Sequence, residues 1–172
     1  GYEIPESGRT AKGTAIVNLL PLAKEETITA IIPIKEFSKD RYLFMATRHG
    51  IVKKTGLSEF DTNRKKTGLI ALSLKENDEL IGVKLTDGNR QIIIGTRDGM
   101  SICFNEQDVR PMGRTARGVI GIKLKGEDTV IGMDNIRDDC EVLTVTEHGF
   151  GKRTATSEYR TQTRGGIGLI NI

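Results

Sequence analysis

"GRTARGVIGIKL" occupies Gly113–Leu124, and "GRTAKGTAIVNLL" occupies Gly8–Leu20. Their first six residues differ at one place, Lys12 against Arg117. Each copy is a short basic loop that ends in glycine and runs into an apolar stretch. Using one loop twice points to an internal repeat, and sliding the sequence on itself finds one. The arginine recurs as Arg9, Arg64, Arg114 and Arg164, and a glycine four residues on as Gly13, Gly68, Gly118 and Gly168, at spacings of 55, 50 and 50.

Three longer segments fall on the same period: "YLFMATRHGIVKKTGLSEF" (42–60), "QIIIGTRDGMSICFNEQDV" (91–109) and "EVLTVTEHGFGKRTATSEY" (141–159). Each has an apolar run closing on Thr47, Thr96 or Thr146, then Gly50, Gly99 or Gly149 three residues later, then a second run. The runs are short and rich in Ile, Val, Leu and Thr, with turn residues between them, which predicts strands. His49, Asp98 and His148 precede the turn glycines. These residue types tolerate positive φ, as a two-residue primed hairpin turn requires.

About four strands per unit of about 50 residues is the pattern of an all-β, propeller-like array. A solenoid would need a shorter repeat, and a sandwich would not repeat so regularly. The units are drawn at 1–27 (the end of a preceding blade), 28–80, 81–130 and 131–172, about three and a half blades of one domain. Rings take typically 4–8 blades. That count, with the lack of a starting Met, reads as part of a longer array.

Composition is ordinary for a globular chain: 37% hydrophobic and 28% charged, with a net charge of only +3. No apolar run approaches the ~20 residues of a membrane helix, so no membrane partner is expected, and the first residues lack an apolar leader. Cys103 and Cys140 have no CxxC spacing and read as reduced, partly buried thiols of a cytoplasmic protein.

Charge distribution is more telling than net charge. The windows "RTAKG", "RKKTG", "RTARG" and "RGGIG" hold eight of the 26 basic residues and none of the 23 acidic ones. These eight are Arg9, Lys12, Arg64, Lys65, Lys66, Arg114, Arg117 and Arg164, and the remainder of the chain is net acidic. Loops at one position of every blade lie at one level, so the cations should form a curved stripe. Such a stripe suits duplex nucleic acid, whose charge repeats along a backbone. Glycines would let the loop backbone approach phosphates. Lys53, Lys54, Lys152 and Arg153 form a second basic set, with a phosphate role and a plain edge-strand role equally open. Aromatics, at 5%, are not interleaved with the loops, which argues against single-strand stacking. His49 and His148 align with Asp98 and read as turn residues. No nucleophile triad, phosphate-binding Gly-Lys-Ser/Thr loop, metal set or cofactor motif is found. An acidic protein partner and a propeller enzyme with a channel site are the competing readings.

"GYEIPESGRTAKGTAIVNLLPL", "FMATRHGIVKKT" and "TEHGFGKRTATSEY" resemble the C-terminal domain of the DNA gyrase A protein along the whole chain, and less closely that of topoisomerase IV. The resemblance implies a β-pinwheel that wraps duplex DNA on a positive rim within an ATP-dependent type II topoisomerase. It implies as partners the remaining blades, the breakage-reunion domain that holds the catalytic tyrosine, and the gyrase B protein of the holoenzyme. It also implies a seven-residue box, Gln-basic-Arg-Gly-Gly-basic-Gly. "QTRGGIG" matches it at Gln162, Arg164, Gly165, Gly166 and Gly168, and departs at Thr163 and Ile167, where the extra cations would stand. The repeated loops look like worn copies of that box.

Overall fold

The computed structural model describes residues 5–20, 22–62 and 68–172. Ten strands are present among them: β1 (Tyr42–Thr47), β2 (Ile51–Gly56), β3 (Leu80–Thr86), β4 (Gln91–Thr96), β5 (Met100–Asn105), β6 (Val119–Ile120), β7 (Val130–Asn135), β8 (Glu141–Val145), β9 (Gly151–Ala155) and β10 (Leu169–Ile170). The only helical elements described are single 3₁₀ turns. Two sheets have four strands, in the orders β3-β1-β2-β6 and β10-β5-β4-β7, and a third pairs β8 with β9. All strand pairs are antiparallel.

The sheets do not stop at the sequence units. The sheet built on the β1–β2 hairpin takes 80–86 on one edge and 119–120 on the other. The limits drawn at 80/81 and 130/131 therefore cut across hydrogen-bonded sheets. The physical reason is that a two-stranded hairpin cannot bury both edges. The stretches that follow Gly118 and Gly168, β6 and β10, close the edge of the preceding unit's hairpin.

The hairpins also depart from the expected turn. Positive φ falls on Gly50 (80°), Gly99 (80°) and Gly149 (82°), while His49, Asp98 and His148 are not among the positive-φ residues. The loop has three residues, with glycine last in the left-handed region. Gly50 N donates to Thr47 O at 3.0 Å, Gly99 N to Thr96 O at 3.1 Å and Gly149 N to Thr146 O at 3.0 Å. The threonine side chain completes the turn: Thr47, Thr96 and Thr146 Oγ1 accept from Ile51, Met100 and Phe150 N at 3.1–3.2 Å. Two buried acids cap the same turns from a distance. Asp78 Oδ1 accepts from His49 N at 3.0 Å, and Asp128 Oδ1 from Asp98 N at 3.0 Å.

The two four-stranded sheets share one core. Phe44, Ala46 and Val52 of the first meet Ile92, Ile94, Ile102 and Phe104 of the second. The Phe44 and Phe104 rings lie tilted at 6.3 Å. Burial of such side chains stabilises by about 1.5–3 kcal/mol each. The β8–β9 hairpin leaves Leu143 66%, Val145 62% and the adjoining Phe150 75% exposed. Of the two thiols expected to be partly buried, Cys103 is buried and burial pushes its pKa up, whereas Cys140 is exposed.

Candidate nucleic-acid interface

Loops 113–118 and 163–168 occupy equivalent seams between units. The chain enters each seam through a parallel bridge, Lys54↔Pro111 or Cys103↔Thr161. Met112 N donates to Lys54 O at 2.8 Å, and Gln162 N to Cys103 O at 2.7 Å. It leaves through β6 on β2, or β10 on β5. The shared glycine makes the exit possible. Gly118 has φ 99°, and a Cβ there would stand 2.5 Å from the Val52 carbonyl oxygen; Gly168 abuts Ser101 in the same way. These glycines serve packing between units, not the approach of a phosphate. Gly165 N donates to Gly121 O at 2.6 Å, and Lys123 N to Gly166 O at 2.8 Å, so the backbone of the box-like loop is also joined to the unit before it. In the earlier seam the Ser73 N–H, donating to Ala116 O at 3.4 Å, makes the matching bond.

The cations then separate by environment. Arg117 is exposed, just past the turn that the Ala116 N–H closes on Gly113 O. Arg9 and Lys12 are exposed too, on a segment whose recorded backbone hydrogen bonds are all local. Arg64, Lys65 and Lys66 lie outside the described residues. Arg114 is half-buried. Arg164 is half-buried and turned onto the protein: its Nε donates to Asp108 O at 2.8 Å and its Nη1 to Ile120 O at 3.0 Å.

Lys53 and Lys54 do not reach solvent and drop out of the interface. Lys53 is 0% exposed, and its Nζ donates to Ala71 O at 2.6 Å and to Arg114 O. Its pKa falls from 10.5 to about 8, chiefly because burial disfavours the charge and secondly because Arg114 is near. Lys54 Nζ donates to Glu106 O at 2.8 Å and sits 5.3 Å from the centre of the Tyr42 ring. Burial lowers its pKa, and Glu106 opposes that. The sequence does not show this, because a lysine on a short strand next to a turn looks like an edge residue. Lys152 and Arg153, at the same repeat positions, are exposed, and Arg153 Nη1 pairs with Glu141 Oε2 at 3.1 Å.

Two further cations sit at the seams. Arg110 and Arg160 are exposed and stand immediately before the bridging residues Pro111 and Thr161. Each lies four residues ahead of its loop arginine, a signal present in the sequence but broken in the first unit, where Phe60 stands four residues ahead of Arg64.

A cavity of about 190 Å³ lies beside the Asp98–Gly99 turn, lined by Thr96, Asp98, Ile122, Lys123, Lys125 and Asp128. Asp128 there is engaged in capping the hairpin. Among the described residues no group of His, Cys, Asp or Glu is placed to hold a metal ion, and no helix is long and apolar enough to cross a membrane.

The family model described as "DNA gyrase C-terminal domain, beta-propeller" matches residues 1–35, 41–87, 90–137 and 141–172. The chain belongs to the DNA gyrase A C-terminal domain family. The second and third matched segments begin just before the β1 and β4 hairpins and end just past β3 and β7, so each holds three strands of one sheet, and the fourth, β6 or β10, comes from the next segment. The DNA gyrase A protein of Haloquadratum walsbyi is 52% identical over 99% of this chain and 21% of its own length. That of Salmonella typhimurium is 48% identical over 99% of this chain and 19% of its own length. The chain thus spans about a fifth of the curated relatives it matches. Among solved structures, the C-terminal domain of DNA topoisomerase IV superposes with a TM-score of 0.86 at 32% identity, over 92% of this chain and 49% of the other. A DNA gyrase A C-terminal domain superposes at 0.80 with 28% identity, over 92% and 53%. The all-β, propeller-like fold expected from the repeat is the fold of this family.

Proposed function

We propose that this chain is part of the duplex-DNA-binding and wrapping module of DNA gyrase, acting through phosphate contacts from cations at the seams between blades. One observation carries the reading. The basic loops of successive units are built into equivalent seams by matching hydrogen bonds, and Arg110 and Arg160, at the entries of those seams, are exposed at blade spacing. Arg110, Arg117 and Arg160 are the exposed members at the two described seams. Arg9, Lys12, Arg64, Lys65, Lys66, Lys152 and Arg153 extend the set, and Arg114 and Arg164 shape the loops. Topoisomerase IV is the second reading, favoured by the superposition; identities of 48–52% to gyrase A proteins favour gyrase.

The rest of the reading follows from family membership. The 172 residues form part of one pinwheel domain. The breakage-reunion domain and the gyrase B protein are its partners in an ATP-dependent topoisomerase of the cytoplasm. This piece carries positioning of DNA and no bond chemistry.

An electrophoretic titration with duplexes of several lengths and salt concentrations tests the binding. Neutralising about four to six phosphates gives a log–log salt slope near −4 to −5, at roughly 0.9 per phosphate. Binding that ignores salt, or that prefers an acidic protein to DNA, rejects the proposal.

A further inference from the structure

We propose that Lys53 is a positioning residue: its buried amine ties the stretch 69–73 of one unit to the basic loop 113–118 of the next and thereby fixes where that loop presents its cations. The geometry stands by itself, and its consequence for DNA rests on the binding function proposed above.

Lys53 has no solvent face, being 0% exposed on β2. Its Nζ donates to two backbone carbonyls from different units. Ala71, at 2.6 Å, lies in the stretch that follows Gly68, and Arg114 opens the next unit's loop. Ser73 continues the same seam, its Oγ donating to Thr115 O at 2.7 Å and its N to Ala116 O at 3.4 Å. Sliding loop 113–118 along 69–73 would carry Arg114 O away from the buried amine and leave an N–H of Nζ without its acceptor.

The neighbouring seam shows that the tie is a requirement met in more than one way. There the position of Lys53 is taken by Ile102, whose Cδ1 packs beside Gly166. The seam is instead closed by the Arg164 guanidinium, which donates to Asp108 O and Ile120 O on two separate elements. One cation donating to carbonyls of two elements recurs, from a different position in each seam. A lysine that merely filled the core would have no need of a partner on the next unit's loop.

The test uses the 172-residue chain with Lys53→Ile, Lys53→Met and Lys53→Gln, read by amide hydrogen exchange and by the salt slope of binding to a linear duplex. Lys53→Ile is expected to raise exchange at least about tenfold across 69–73 and 113–118 while β1 and β2 keep their protection. The salt slope should fall by about one to two, at roughly 0.9 per phosphate, as loop cations lose register. Gln offers two N–H donors and should recover part of the loop protection; Met has the length without the donors and should not. Where Lys53→Ile does not fold, the Gln–Met contrast decides. Unchanged exchange at the loops, a rise spread evenly over β1 and β2, or identical behaviour of Gln and Met overturns the proposal. Should the unsubstituted chain fail to bind duplex DNA, the binding function falls while the exchange measurements still judge the tie.

Discussion

Lys53–Lys54 on β2 and Lys152–Arg153 on β9 hold the same two positions of the repeat, three and four residues past the turn glycine. On β2 both side chains are buried and donate to backbone carbonyls. On β9 both are exposed, and the Arg153–Glu141 ion pair there is on the surface. The difference does not lie in the residues. β2 is flanked by β1 and β6 and covered by 69–73 and by loop 113–118, whereas β9 has β8 as its sole strand partner among the described residues. A cation in this repeat is structural or solvent-facing according to whether another unit's loop closes over it.

The largest effect that could overturn this contrast is on stability. Lys53→Ala leaves two carbonyls unpaired in a packed seam, at about 1–3 kcal/mol each with lost packing added. A loss of about 3–5 kcal/mol is expected, or a Tm drop of roughly 6–20 °C at 2–4 °C per kcal/mol. Lys152→Ala should stay within about 0.5 kcal/mol, as exposed substitutions do. Thermal unfolding of both variants by circular dichroism checks this, and equal losses would mean that burial does not separate the two positions.

Next comes the glycine that lets one unit close over another. Gly118→Ala places a Cβ 2.5 Å from the Val52 carbonyl oxygen at φ 99°, whereas Gly13 has φ 71° and nothing within 4 Å. Gly118→Ala is expected to cost about 2–4 kcal/mol and Gly13→Ala about 1, the cost of left-handed φ alone. Denaturant midpoints at constant m measure both.

Smaller still is a pH effect that separates β2 from a lysine-free seam. Lys53 has a folded pKa of about 8 against 10.5 for an ordinary lysine. Below about pH 8 it carries its proton in both states, and the fold bears the burial of that charge. Between about 8 and 10.5 the unfolded chain holds more protons, so stability rises with pH. The gain at about pH 9.5 is on the order of 2 kcal/mol, at roughly 1.36 kcal/mol for each tenfold difference in proton affinity. The neutral amine still has two N–H groups for its two carbonyls. Unfolding curves of the unsubstituted chain and Lys53→Ile between about pH 7 and 9.5 should diverge in that direction.

DNA affinity probes the exposed cations. Replacing Arg110, Arg117 and Arg160 together by Ala should flatten the salt slope by about 2–3, at roughly 0.9 per phosphate, and weaken all sequences alike. Equal loss on changing Lys39 and Lys125, exposed cations outside the loops, would show a diffuse field rather than seams. The smallest effect expected is from Thr163→Arg with Ile167→Lys, which completes the box pattern. Two added phosphate contacts should steepen the slope by about 1.8. The linking number of a relaxed and resealed circle should hardly change in either form, since bending 20–30 bp costs on the order of 1–6 kcal/mol and needs contacts at several blades.

The amino-acid string, read alone, is enough for the repeat, the strand-turn-strand unit, the all-β class and the family. Those features are local and periodic: Thr-x-x-Gly at the hairpin and Arg with a glycine four residues on can be read without knowing what packs where. The turn type is not legible in it, because positive φ at one glycine and at the residue before it give similar strings. Nor does it show that sheets borrow strands across units, or sort the cations. Arg164 and Arg117 are both loop arginines on the page, yet one is bound to the carbonyls of Asp108 and Ile120 and the other stands exposed. That sorting belongs to the tertiary structure, since the desolvation and hydrogen bonding of a lysine or arginine depend on what a distant part of the chain lays over it.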